Sequence, residues 1–140
     1  MIVGKSVPRI DAVDKVTGRA RYTDDLTDKG AYVAKILHST IANGVVKRID
    51  ISEAEKIKGV VKIVTCFDVP DIKFPTAGHP WSTDPHHQDV MDRHLLTDRV
   101  RFYGDDVAAV VAENEVAAAQ AVRAIKVEYE EYPFVLDQVE

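Results

Sequence analysis

Apolar and polar positions alternate cleanly in only part of this chain, and that unevenness organises the reading. From Ala31 to Ser39 apolar residues fall on both alternating sides, which predicts a strand covered on both faces or placed centrally in a sheet. Asn43-Gly44 is a turn signal, and Val45 to Ile51 follows with better alternation, Ile49 and Ile51 to one side. Ser52-Glu53-Ala54-Glu55 has the spacing of a capping box, in which the Ser52 hydroxyl accepts from the Glu55 N–H and the Glu55 carboxylate reaches back. The short helix it opens is expected to stop at Gly59. Val60 to Thr65 is β-branched and apolar, hence a strand.

Regularity resumes at Arg99 to Tyr103, with a turn at Gly104-Asp105 and a strand from Asp106 to Ala112. Asn114 is an apt N-cap for a helix from Glu115 to Ile125, whose Ala118, Ala121, Val122 and Ile125 make one core-facing stripe. Lys126 to Tyr132 alternates again until Pro133. The sum is an α+β domain, a mixed sheet with two helices. Two segments lack any period. Residues 1–26 read as an arm of loops and short turns, and a long irregular loop runs over about 68–92 with Pro70, Pro75, Gly78, Pro80 and Pro85 as breakers. A run of that length inside a compact domain points to a functional or interface loop. The expected layout is one domain over 1–140: arm 1–26, a first strand–helix–strand half 31–67, the loop 68–98, and a second half 99–136.

Composition narrows the classes. The 140 residues are 46% hydrophobic and 29% charged, an ordinary soluble profile that excludes a disordered tail or a fibre. Eighteen basic against 23 acidic residues leave a net charge of −5, which argues against nucleic acid or an anionic membrane as partner. One cysteine, Cys66, permits no internal disulfide and no Cys-based zinc or iron–sulfur site. With no apolar leader at the N-terminus, the expected compartment is the cytoplasm.

Candidate chemistry is sparse. Gly4-Lys5-Ser6 lacks the upstream glycine and strand that a phosphate loop requires. His79, His86, His87 and His94 lie in or beside the loop, with Asp84, Asp89 and Asp92 between them. Imidazole and carboxylate can form a zinc or iron shell, but no pair has a spacing that preorganises two rings toward one ion. A free-standing metal- or ligand-binding protein using His79, His86 and His87 is therefore the alternative reading. His38, alternating with Ile36, is expected to be a hydrogen-bonded core residue, and Cys66 a buried structural thiol. Trp81 in Gly78-His79-Pro80-Trp81 is either an anchor pinning the loop to the core or an interface group. No acid, base and nucleophile converge, so no catalytic residue is assigned.

Two stretches carry a resemblance. The run Val3 to Asp25, through Pro8-Arg9-Ile10-Asp11 and Lys15-Val16-Thr17-Gly18-Arg19-Ala20-Arg21-Tyr22, resembles the opening of the molybdenum-binding subunit of the xanthine dehydrogenase and aldehyde oxidase family. Val100 to Pro133, with Tyr103-Gly104-Asp105-Asp106-Val107 and Val127-Glu128-Tyr129-Glu130-Glu131-Tyr132-Pro133, is similar to the end of the same domain. Phe74 to Trp81 looks closest to bacterial xanthine dehydrogenases.

The resemblance implies an α/β-hammerhead fold and an N-terminal structural and interface module of an oxidoreductase that hydroxylates purines or aldehydes with water as oxygen source. In that family the molybdopterin ligands and the general base lie downstream, so the chain alone is expected to bind no cofactor and to be inactive. It is expected to pack on downstream molybdopterin domains and to contact FAD and [2Fe-2S] parts of the enzyme. The substrate-funnel loop maps to Phe74, Gly78, His79 and Trp81. The arm residues Lys15, Arg19 and Arg21 are expected to dock onto the downstream domains. One departure is visible: Gly104-Asp105 stands where many relatives have Gly-Gln.

Overall fold

The computed structural model describes residues 3–26, 28, 30–75, 86, 90–137 and 139. The chain forms two compact units, Met1–Ala31 and Tyr32–Glu140.

The first unit is more ordered than its aperiodic sequence predicts. A short helix, α1, spans Ala12–Val16, and a 3-10 turn spans Thr23–Leu26. Local polar bonds hold α1 together: Lys15 pairs with Asp11 at 2.8 Å one turn away, and the Thr17 hydroxyl donates to the Val13 carbonyl at 2.6 Å. No residue of either element is buried, so hydrogen bonding rather than a core shapes this unit.

The second unit begins with β1, Val33–His38, and β2, Gly44–Asp50. Helix α2, Ser52–Glu55, and β3, Val60–Thr65, follow. Two short strands, β4 at Phe74–Pro75 and β5 at Met91–Arg93, form a ribbon within the stretch expected to be structureless. Then come β6, Arg99–Val100; β7, Asp106–Ala112; α3, Glu115–Ala124; and β8, Lys126–Glu131. The class is the expected α+β one. Its strands divide between two antiparallel sheets, ordered β1-β7-β3 and β6-β2-β8.

This division corrects the reading of β1. It is an edge strand whose residues alternate half-buried and exposed, and the central, doubly covered position belongs to β7. Val110 packs with Ile63, Ala54, Ala121 and Ile125 beneath the helices, and Ala112 with Ala117 and Ala118. Val107, an odd number of residues away from both and therefore on the opposite face, joins Ile41, Val46 and Val100. One strand thus seals two clusters. The edge position also corrects His38, whose side chain is exposed and pairs with Asp106 at 2.9 Å across the β1–β7 ladder instead of entering the core.

Helix α3 matches its sequence signals, with Asn114 accepting the Ala117 N–H at 2.9 Å and Ala118 and Ala121 fully buried. Helix α2 does not form the expected capping box. Its first free N–H, on Ser52, goes to the Asp50 carboxylate at 3.0 Å, a closer acceptor than the Glu55 side chain expected to reach back. The helix ends at Glu55, and Gly59 at φ +94° turns the chain into β3.

Candidate functional site

A concavity of about 540 Å³ opens between the β4–β5 ribbon and the segment from Thr97 to Asp106. Its rim is set by local rules. Ser39, directly after β1 and buried, donates its hydroxyl to the Phe102 carbonyl at 3.0 Å and receives the Gly104 and Asp105 N–H groups at 3.1 Å each. The Asp105 carboxylate folds back to accept the Arg101 N–H at 2.7 Å and the Phe102 N–H at 3.3 Å. These bonds close the Arg101–Asp105 turn and present Phe102 and Tyr103 outward, both exposed. Asp105 therefore has a definite structural task at the position where the sequence departs from its resemblance.

Arg99 is committed beneath the groove. Its guanidinium donates to the carbonyls of Gly44 (2.8 Å) and Val100 and to Asn43 Oδ1 (2.8 Å), and it lies 5.4 Å from the centre of the Tyr132 ring. Asn43 in turn donates to the Pro133 carbonyl at 2.6 Å, so this hub ties β6, β2 and the end of β8. Above the hub, Arg93 stacks over Phe102 at 5.6 Å and Arg101 donates to the Asp92 carbonyl at 3.2 Å.

The residues expected from sequence are distributed unevenly. Phe74 lines the groove with 40% of its surface exposed. Gly78, His79, Trp81 and His87, and with them most of the expected funnel loop and of the alternative metal set, lie outside the described residues; His86 is described and exposed. His94 lines the groove and pairs with Asp71 at 2.8 Å. In the first unit Lys15 pairs with Asp11 and Arg19 with Asp14 at 3.4 Å, and Arg21 is exposed. Sequence reasoning misses Arg93, Arg99, Arg101 and the Ser39–Asp105 clamp. Alternating arginines at 99 and 101 before an aromatic pair are the available signal for the first group; the clamp spans 66 positions and leaves none.

An iron–sulfur cluster does not fit the donors present, since the chain holds a single cysteine, Cys66. Among the described residues no three His, Cys, Asp or Glu side chains are grouped to hold a metal. Cys66 is half-buried and not the fully buried thiol expected, because it follows the end of β3; partial burial, with the Asp98 charge adding to it, pushes the thiol up to about 11. No described helix is long and apolar enough to cross a membrane.

Comparison with known proteins agrees with this architecture. The chain is 48% identical over 127 residues to the xanthine dehydrogenase molybdenum-binding subunit of Escherichia coli O157:H7, covering 91% of the chain and 17% of that protein. It is 37% identical over 129 residues to a probable hypoxanthine oxidase of Escherichia coli K12, covering 92% of the chain and 13% of that protein. Among solved structures, quinoline 2-oxidoreductase from Pseudomonas putida 86 superposes with a TM-score of 0.79 at 31% identity, over 95% of this chain and 17% of that one. The aldehyde oxidoreductase of Desulfovibrio gigas does so with a TM-score of 0.74 at 35% identity, over 90% and 14%. The chain thus spans no more than about a sixth of these relatives. The family profile described as aldehyde oxidase and xanthine dehydrogenase, a/b hammerhead domain, matches residues 17–133, and with that fold and those relatives the chain belongs to this family as its hammerhead domain.

Proposed function

We propose that the chain is the N-terminal structural and interface module of a xanthine dehydrogenase-type molybdenum hydroxylase in the cytoplasm, contributing surface and not chemistry. The observation that carries this reading is the 48% identity to a protein named as a molybdenum-binding subunit, of which the chain spans 17%. In this reading downstream domains of the same polypeptide supply the molybdopterin site, and the flavin and iron–sulfur parts adjoin it. The purine or aldehyde oxidation belongs to that whole. The stretch around Phe74, Gly78, His79 and Trp81 borders the path of substrate. Lys15, Arg19 and Arg21 dock the arm. The pairs of Lys15 with Asp11 and Arg19 with Asp14 are exposed and screened by solvent, so a partner's carboxylates can replace them at little cost.

The test is the intact mass and metal content of the native polypeptide from its source. A chain several times longer than 140 residues and carrying molybdenum supports the module. A native product ending near Glu140 that takes up a stoichiometric metal, and loses it when His79, His86 and His87 are replaced, overturns it in favour of a free-standing binding protein. Within a long polypeptide, replacing Lys15, Arg19 and Arg21 together by alanine is expected to weaken assembly, read by native mass.

A further inference from the structure

The groove beside the ribbon is lined by three arginines and three aspartates, and two of those guanidiniums are left with open N–H donors. Three carboxylates line it. Asp105 is satisfied by the Arg101 and Phe102 N–H groups, Asp106 faces His38 at 2.9 Å, and Asp92 is engaged as well. On the cationic side Arg99 is spent on two backbone carbonyls and Asn43, and His94 on Asp71. Arg93 and Arg101 remain. Among the described residues neither has a carboxylate partner; one guanidinium lies against a ring face and the other touches a single backbone oxygen.

Around these two cations the surface is apolar. Phe74 and Phe102 keep 40% and 46% of their surface exposed, and Leu95 is exposed between them in sequence. The ribbon itself is two strands of two and three residues with no buried side chain, an arrangement marginal in water unless something packs on it. Exposed aromatic rings beside guanidiniums free of carboxylates are the elements of an anchor site: apolar surface for affinity, a fork of N–H donors for a carboxylate.

We propose that this groove is the docking site for an acidic segment, a carboxylate beside a large apolar side chain, supplied by the same polypeptide beyond these 140 residues. The inference rests on the module reading above, since about five sixths of the related molybdenum-binding subunit lies outside the stretch this chain matches. Donor geometry selects the chemistry. Two arginines that line one groove and lack carboxylate partners among the described residues offer open N–H forks, which a carboxylate matches. A cavity of about 540 Å³ has the size of small-ligand pockets, room for a few side chains rather than a whole domain face.

The experiment uses the full-length polypeptide. Arg93→Lys and Arg101→Lys keep the charge and add an amine, so a zero-length carbodiimide can form an amide with a carboxylate in contact. Peptide mass mapping is expected to find position 93 or 101 joined to an Asp or Glu beyond residue 140. In the unmodified native protein, phenylglyoxal is expected to label Arg93 and Arg101 at least tenfold more slowly than the exposed Arg48. A cross-link confined to residues 1–140, a cross-link to another chain, no cross-link at all, or labelling at the rate of Arg48 overturns the proposal. Failure of the module reading looks different: it shows as a short native polypeptide without molybdenum, before any groove is probed.

Discussion

Ser39 and Asp105 hold each other at both backbone and side chain: the Ser39 N–H donates to the Asp105 carbonyl at 2.7 Å, and the Ser39 hydroxyl receives the Asp105 N–H at 3.1 Å. The pair joins the exit of β1 to the entry of β7 and shapes the turn that presents Phe102 to the groove. Ser39→Ala leaves the buried N–H of Asp105 without its hydroxyl acceptor and is expected to cost about 1–3 kcal/mol. Urea unfolding followed by circular dichroism measures it; a midpoint equal to wild type would show that water replaces the hydroxyl.

Gly44 is required for a steric reason. A Cβ there would sit inside the contact shell of the Glu130 carbonyl oxygen and 2.6 Å from Ile41 Cδ1, at the start of the β2–β8 pairing. Gly44→Ala is expected to lower stability by about 1–3 kcal/mol through forced displacement of β8. The thermal midpoint reads the loss, and amide exchange at Tyr129 to Glu131 is expected to speed up locally.

The two helix starts make contrasting predictions. Asn114→Ala removes an observed cap bond to Ala117 and is expected to cost about 1 kcal/mol. Glu55→Ala is expected to change little, because the reciprocal cap bond its sequence position suggests is not formed and Asp50 holds the Ser52 N–H instead. Chemical denaturation of both variants under one condition tests the difference.

Asp68 links stability to acid. Its carboxylate accepts the Thr65 hydroxyl at 2.6 Å and the Thr65 N–H at 2.8 Å, and these bonds, the hydroxyl's first, hold its pKa below the ordinary 3.8. A carboxylate depressed in the folded state binds protons more tightly when unfolded. Its contribution is therefore complete above the unfolded value near 3.8 and is lost as pH falls through the lower folded value. Asp68→Asn is expected to flatten the acid limb of the thermal midpoint against pH below about pH 4 and leave its neutral slope unchanged.

How far the sequence speaks depends on the range of the interactions involved. Helix α3, with its Asn114 cap and its 118, 121, 122 and 125 stripe, is legible because cap and stripe are set by neighbours three and four positions apart. The strands β2, β3, β7 and β8 are legible from alternation and β-branching for the same reason. The order β1-β7-β3 is not, since alternation does not say which strand takes the centre, and so His38 reads as part of a core it only borders. Phe74 is marked through resemblance, whereas Arg93 and Arg101 gain their meaning only when the ribbon and the Arg101–Asp105 turn meet.

By itself, then, the sequence determined what local physics and family pattern can carry: the α+β class and the positions of α3 and of the strands β1, β2, β3, β7 and β8. Tertiary structure decided which strand seals two cores, which charges are spent and which remain, and where the open groove lies. The reason is separation along the chain. A cap or an amphipathic stripe is closed within one or two helical turns, while the Ser39–Asp105 clamp and the Arg99–Gly44 bond span 66 and 55 positions and exist only once the sheets have formed.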